Sequence, residues 1–404
     1  MSELVFTRLK QVLGDGMVER DPHGLPRVVP DGTDTVAQVC GLAHAEGWRI
    51  RIEGGGTWLQ PDAPADLTLS LSGMHRVIQV SPADLIASVQ AGITLESLRR
   101  QLGDHGMWFA VDPPGRPDRT LGSIAATATA GPLRQGFGPV RDHIMGCAVV
   151  CGDGRVILVG ARVVKNVAGY DLTKLMVGGF GGFGIVTELH LRLRTLPRAD
   201  ATMTARGDRD ALLSIGRELL EQQLAPAALE LFSPALAAEA DWVLAARFLG
   251  GEASVRSEVQ RLPVRGGITW TPLPADRTHA FWTLAARAAL GGPVTIRLSA
   301  LPPSLDDTLD LVANDLDEGL LSAGAGEGTI RWTGEAAPDR LRNLRHLAAA
   351  REIPLTLERA PWPIRLEVGH FGAYREGVGL IVTRLREEFD PGGQLSIALE
   401  GSRT

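Results

Sequence analysis

Cysteine is nearly absent from this sequence. The three that occur, Cys40, Cys147 and Cys151, are odd in number and form no C-x-x-C pair. Neither a disulfide framework nor a zinc or iron–sulfur site is supported, and reduced thiols in a cytoplasmic setting are expected. Lysine is equally scarce, with only Lys10, Lys165 and Lys174. At a net charge of −6 the chain lacks the basic excess of a dominant nucleic-acid or anionic-membrane surface, although its arginines leave room for a local patch. No stretch approaches the ~20 apolar residues that span a bilayer. The start, Met-Ser-Glu-Leu-Val-Phe-Thr, lacks the apolar centre of a signal peptide, so any contact with the inner membrane is expected to be peripheral and to run through a partner. What remains is ordinary globular composition, 44% hydrophobic and 22% charged, over 404 residues, enough for two domains.

The most distinctive stretch runs from Asp112 to Gly146. Between Gly122 and Gly131 almost every side chain is Gly, Ala, Ser or Thr, which lets backbone amides and small hydroxyls approach a bulky neighbour. A diphosphate is one such neighbour, because successive N–H groups in a glycine-rich turn make an anion-binding concavity. A close-packed turn of small residues is the other reading, and this stretch alone does not separate them.

In chain order, Val36, Val39, Cys40 and Ala43 recur at helical spacing between an N-cap at Thr33 or Asp34 and a stop at Gly47. Residues 48–53 alternate as a strand and run directly into Gly54-Gly55-Gly56-Thr57, a strand followed by a phosphate-type turn. Short strands are expected at 67–71, 76–80 and 86–91, then a helix capped by Thr94 and a hairpin of 147–150 with 155–159 turning at Asp153-Gly154. The run Gly179-Phe-Gly-Gly-Phe-Gly184 matches the dinucleotide fingerprint G-x-G-x-x-G, but residues 185–194 after it alternate as a strand. A Rossmann site needs a helix there, so nicotinamide binding on such a fold is rejected. Residues 197–200 read as a linker. Beyond it strands at 229–232, 242–249, 267–272, 294–300, 329–333 and 355–357 are expected among helices at 208–223, 254–261, 276–289, 304–321 and 338–351, an α+β layer of helices on a sheet. A last helix carries Val378, Ile381, Val382, Leu385 and Phe389 and stops at Asp390-Pro-Gly-Gly.

Five motifs occur in series: Glu53-Gly-Gly-Gly-Thr57; Thr120-Leu-Gly-Ser123; Gly131-Pro with Gly138-Pro-Val-Arg-Asp-His-Ile-Met-Gly146; Val164-Lys-Asn-Val-Ala-Gly-Tyr-Asp-Leu172; and Gly178-Gly-Phe-Gly-Gly-Phe-Gly-Ile-Val-Thr-Glu188. Together they resemble the vanillyl-alcohol-oxidase-type (PCMH) FAD-binding family, and within it the FAD-binding (E) subunits of bacterial glycolate oxidase. The likeness covers about residues 30–196 and the Phe389-Asp-Pro-Gly-Gly tail. It implies an α+β architecture: a PCMH-type FAD-binding domain of two α+β subdomains over 1–196, a smaller α+β cap domain over 197–372, and a C-terminal helix and tail, 373–404, returning to the FAD domain. It implies FAD held with the backbone of Gly54, Gly55, Gly56, Thr57 and Trp58 on the pyrophosphate. Pro113, Thr120, Leu121, Gly122, Ser123, Ala126, Gly131 and Gly138 would run along the cofactor, and Gly181, Gly184, Ile185 and Val186 would line its adenine and ribose.

Covalent FAD in this family uses a His in or beside the glycine loop, and Gly54-Gly-Gly-Thr-Trp58 has none, so noncovalent FAD is implied. The His-x-Gly-Asp-Gly-Asn-type motif of the related catalytic subunit is also absent, and His279, His346 and His370 are scattered singly. The resemblance therefore implies a chain with no assigned catalytic residue and no metal. It would work beside a catalytic FAD-containing subunit and an iron–sulfur subunit on a small 2-hydroxy acid. A self-sufficient FAD-dependent oxidoreductase and a non-redox structural FAD subunit are the alternatives. Lys165 and Asn166 read as backbone capping, and Tyr170 with Asp171 as a buried hydrogen-bonded pair. Arg134 and Arg141 suit either phosphate neutralisation or surface ion pairs, and Trp58 either flavin stacking or the core. Arg297, Arg331 and Arg365 are the second domain's candidates for binding a carboxylate.

Overall fold

The computed structural model describes residues 2–59, 62–160, 171–372, 374 and 376–395. Two sheets organise the first half. In one, strands Val18–Arg20, Pro26–Val28, Leu67–Ser70 and Ile50–Glu53 lie in that order, and Leu67–Ser70 pairs in parallel with both of its neighbours. Parallel pairing needs a crossover, and the helix Thr33–Glu46 supplies it. Gly32 rather than Thr33 or Asp34 occupies the N-cap, with no side-chain hydrogen bond, while Gly47 ends the helix in the left-handed conformation as expected. All four residues of Leu67–Ser70 are buried, because this central strand is covered on both faces.

The other sheet is antiparallel, ordered Val77–Ser81, Ile86–Gln90, Ile185–Arg192, Ile144–Val150 and Val156–Gly160. The residues after Gly179–Gly184 thus form a strand. Helix Leu95–Gly103 starts at Thr94, whose hydroxyl accepts from the Ser97 amide at 3.1 Å. Leu95, Leu98 and Leu102 join the first core from there.

The second half is built on one antiparallel sheet of eight strands, ordered Thr271–Pro272, Ala199–Gly207, Trp242–Gly250, Ala228–Phe232, Leu320–Gly324, Thr329–Gly334, Val294–Ser299 and Leu355–Arg359. Alternation gives its faces opposite characters. Leu229, Leu231, Ile296, Leu298, Ile330, Trp332, Leu355 and Leu357 join one core with the helices Arg209–Glu221, Leu305–Asp315 and Pro338–Ala349. Glu230, Arg297, Arg331 and Glu358 occupy the intervening positions. That polar face meets the first half, where Arg331 donates to the Ala130 carbonyl at 3.1 Å. Gly136 donates to Ala227 O at 3.0 Å, Gly115 to Ala286 O at 2.8 Å, and Arg134 pairs with Glu327 at 2.9 Å.

Two expectations for this half were wrong. Ala199 and Asp200, read as the end of a linker, begin a nine-residue strand, Ala199–Gly207, paired throughout with Trp242–Gly250. The helix expected over 304–321 stops at Asp315, and Leu320–Gly324 is a strand. The chain returns to the first half at its end: Ile50 N donates to Gln394 O at 3.0 Å, and Gln394 Nε2 donates to Gly152 O at 2.9 Å. Asp390 ties this turn by accepting from the Gln394 and Leu395 amides, both at 3.0 Å. Among the described residues, no helix is long and apolar enough to cross a membrane.

Candidate functional site: a cleft between the two sheets of the first half

The C-terminal end of strand Ile50–Glu53 opens into a cleft that runs from the loop after it to the start of strand Ile185–Arg192. Its floor is the loop Gly54–Leu59, its side the small-residue helix Leu121–Thr127, and its far wall Met176, Phe180, Gly181 and Gly184–Val186. Arg365 and Leu395 reach it from the far end of the sequence.

Polar contacts fix the loop. Ser70 Oγ donates to Gly54 O at 3.1 Å, and Arg27 holds both Ser70 Oγ at 2.9 Å and the Glu53 carboxylate at 3.0 Å. Arg51 is tied to Asp21 and to Thr68 Oγ1 at 2.7 Å. Burial alone would push the Asp21 carboxyl up, but the Leu25 and His23 amides and Arg51 outweigh it and hold the pKa below the usual value. Across the cleft, Thr120 caps Leu121–Thr127 by accepting from Ser123 N. Gly122 N donates to Ala91 O at 2.7 Å, seating this helix against the antiparallel sheet.

Arg119, fully buried, joins these parts. Its guanidinium lies 4.1 Å from the Trp58 ring centroid and donates to Pro114 O at 2.9 Å, Ser123 Oγ at 3.2 Å and Thr127 Oγ1 at 2.6 Å. Burial pulls its pKa down to about 9, with Glu358 pulling back up. Arg119 is not among the site residues expected from the sequence. Its signal was a lone arginine before a run of small residues, where a buried cation can find several carbonyls and hydroxyls.

The cleft gathers Gly54, Gly55, Gly56, Thr57, Trp58, Thr120, Gly122, Ser123, Ala126, Gly181, Gly184, Ile185 and Val186. Pro113, Leu121, Gly131 and Gly138 stand outside it. Leu121 points into the core, and Pro113 is buried. At Gly131 an added Cβ would fall 1.9 Å from Asp112 O, so glycine serves close backbone packing there. Gly138 ends the short helix Arg134–Phe137 at φ +87°. Packing therefore explains part of the small-residue stretch and the cleft the rest.

Trp58 is 4% exposed and also lines the cleft. Arg134 and Arg141 take ion-pair partners, Glu327 and Asp142, and neither lines the cleft. Asp171 is exposed and pairs with Lys174 at 3.4 Å, which corrects the buried pair expected for it. Lys165, Asn166 and Tyr170 lie outside the described residues. His370 is buried, with Nδ1 2.6 Å from Leu357 O and its ring 4.6 Å from that of Phe180. Burial lowers its pKa to about 4, so it stays neutral.

The residues fit an FAD. The loop offers backbone amides at the end of a strand, Thr57 and Ser123 add hydroxyls, and apolar side chains line the far wall. The Trp58 indole Nε1 is buried without a hydrogen-bond partner, an arrangement that a bound polar group would relieve.

Comparisons with known proteins agree. Residues 26–160 match the FAD binding domain family. Among curated proteins the chain is similar to glycolate oxidase subunit GlcE of Escherichia coli (strain K12), 33% identical over 194 residues that cover 47% of this chain and 52% of that one. It is also similar to the probable mitochondrial D-lactate dehydrogenase of Danio rerio, 32% identical over 219 residues, 49% of this chain and 44% of that one. The chain thus spans about half the length of the curated relatives it matches. In fold it is similar to alkyldihydroxyacetonephosphate synthase, with a TM-score of 0.74 at 14% identity over 100% of this chain and 85% of that one. It is similar too to 4-ethylphenol oxidase from Gulosibacter chungangensis, with a TM-score of 0.72 at 14% identity over 99% and 98%.

Proposed function

We propose that this chain is the FAD-binding subunit of a 2-hydroxy-acid oxidoreductase complex that converts glycolate or D-lactate to the 2-oxo acid, with electrons passing on to an iron–sulfur subunit. Its units are residues 1–196, which hold FAD noncovalently, the cap 197–372, and the returning segment 373–404. Bound FAD supplies the acceptor for the two electrons removed from the hydroxyl-bearing carbon. The chain's own part is to bind and orient it: amides of Gly55 to Trp58 toward the diphosphate, the Ser123 hydroxyl along it, and Met176, Phe180, Ile185 and Val186 excluding water. Among the described residues lining the cleft, none is His, Cys or Tyr, the side chains suited to a covalent flavin link.

One observation carries the subunit reading over that of a self-sufficient oxidase. An oxidase acting alone needs a cation for the substrate carboxylate. Two of the cap's three candidates, Arg297 and Arg331, sit directly opposite each other on neighbouring strands. Both are committed to Glu358, at 3.4 and 2.8 Å. Burial raises the Glu358 pKa, but the two arginines outweigh it and keep the carboxylate ionised, so one buried carboxylate already engages both guanidiniums. The third, Arg365, lies in the cleft of the first half. The relatives' description as glycolate oxidase subunits supports the same reading.

The test is to purify the chain alone and from its native source. Little turnover of glycolate or D-lactate with an artificial acceptor by the isolated chain, and co-purification with a second flavoprotein and an iron–sulfur protein, are expected. A fully active, partner-free chain would instead establish the self-sufficient oxidase.

A further inference from the structure

Helix Trp362–Val368 follows the last strand of the eight-stranded sheet, yet its Arg365 lines the cleft of the first half together with Gly54–Trp58. The guanidinium is ion-paired with Asp62, four residues beyond Trp58 in the chain, and Asp62 also accepts from the backbone amide of Trp362. The two partners differ in hydration: the Arg365 side chain is 4% exposed and that of Asp62 33%. A carboxylate so placed is stabilised by water when its partner leaves, whereas a buried guanidinium needs an anion. The other charged residues of the cleft hold the first sheet together, Arg51 through Asp21 and Glu53 through Arg27. Arg365 instead joins the loop to the second half.

We infer that Arg365 is a cofactor-binding residue that exchanges the Asp62 carboxylate for the diphosphate of FAD, so that cofactor binding draws the second half onto the glycine loop. This rests on the FAD assignment above. Its physical basis is that a planar guanidinium matches phosphate oxygens in a paired, charge-assisted geometry, while the loop amides offer single donors. The buried, partnerless Trp58 Nε1 lies on the same loop and points to a polar ligand there.

The test titrates the purified apoprotein with FAD and with riboflavin, which has no phosphate, followed by flavin fluorescence. Arg365→Gln is expected to weaken FAD binding roughly ten- to hundredfold, the range for losing hydrogen bonds to a charged group, and to leave riboflavin binding as in the wild type. Asp62→Asn removes the competing carboxylate and is expected to bind FAD at least as tightly as the wild type. Unchanged FAD affinity in Arg365→Gln, an equal loss for riboflavin, or weakened FAD binding in Asp62→Asn would each overturn the inference, the last by making the pair a purely structural tie. If Arg365→Gln does not fold, the sign of the Asp62→Asn effect decides. A wild-type chain that binds no FAD would instead remove the FAD assignment itself, and this inference with it.

Discussion

Gly54 and Gly55 are adjacent glycines of one loop, and their replacement by alanine is predicted to have different consequences. At Gly54 an added Cβ falls 2.0 Å from Thr120 Oγ1 and 3.0 Å from both Thr120 Cβ and Cγ2. Turning Thr120 away withdraws its hydroxyl and still leaves its Cβ at 3.0 Å, so either the cap is lost or the loop or the helix start must move. The hydroxyl is also the N-cap of Leu121–Thr127. Losing that cap costs about 1 kcal/mol, and overpacking adds about 1–3 kcal/mol. At Gly55 the nearest atoms are Asp118 O and Thr57 Cγ2, both at 3.7 Å, which is ordinary contact. Alanine there should change stability by less than about 0.5 kcal/mol. Thermal unfolding of the apoproteins reads the difference: Gly54→Ala is expected to lower Tm by roughly 2–5 °C and Gly55→Ala to leave it in place. In a Thr120→Ala background the cap and the clashing Oγ1 and Cγ2 are all gone, so most of the Gly54→Ala penalty should vanish. Equal losses at both glycines, or full additivity with Thr120→Ala, would refute the packing argument.

Three further outcomes are expected. Gly55→Asp should stay folded, because its Cβ has room, yet lose FAD, because a carboxylate on this loop repels a diphosphate; normal flavin occupancy would move the phosphate site elsewhere. Acid precipitation of the purified chain should release intact FAD into the supernatant, and flavin retained in the pellet would contradict a noncovalent site. Glu230, 5% exposed, has its pKa pushed up to about 8, chiefly by burial and further by Glu327. Between its unfolded value of about 4.5 and that of about 8, the native chain holds a proton the unfolded chain lacks, so this group's contribution to stability falls as pH rises through that window. Glu230→Gln should flatten the decline and be more stable than the wild type near pH 8; an unchanged pH slope in chemical denaturation would refute this.

Much of the cleft was legible in sequence because it is local: a strand, three glycines, then a capped run of small residues. Gly131 and Gly138 misled because a glycine required by close packing or a helix end reads the same as one beside a ligand. Arg365 and Leu395 could not be placed in the cleft from pattern, since tertiary structure alone brings them to a loop about 300 positions earlier. The strand 199–207 hid behind Pro197 and small residues, and its identity comes from pairing with Trp242–Gly250. The strand Leu320–Gly324 was absorbed into the preceding helix because Leu305, Leu309, Val312 and Leu316 continue the helical spacing. The backbone nevertheless turns extended at Leu316.

That the cleft between the two sheets binds FAD is tested most directly by titrating the purified wild-type chain with FAD while following flavin fluorescence and thermal unfolding. Saturation at one equivalent, with a Tm that rises with FAD concentration, is the predicted result. A chain that binds no FAD, or whose Tm ignores it, would contradict the assignment.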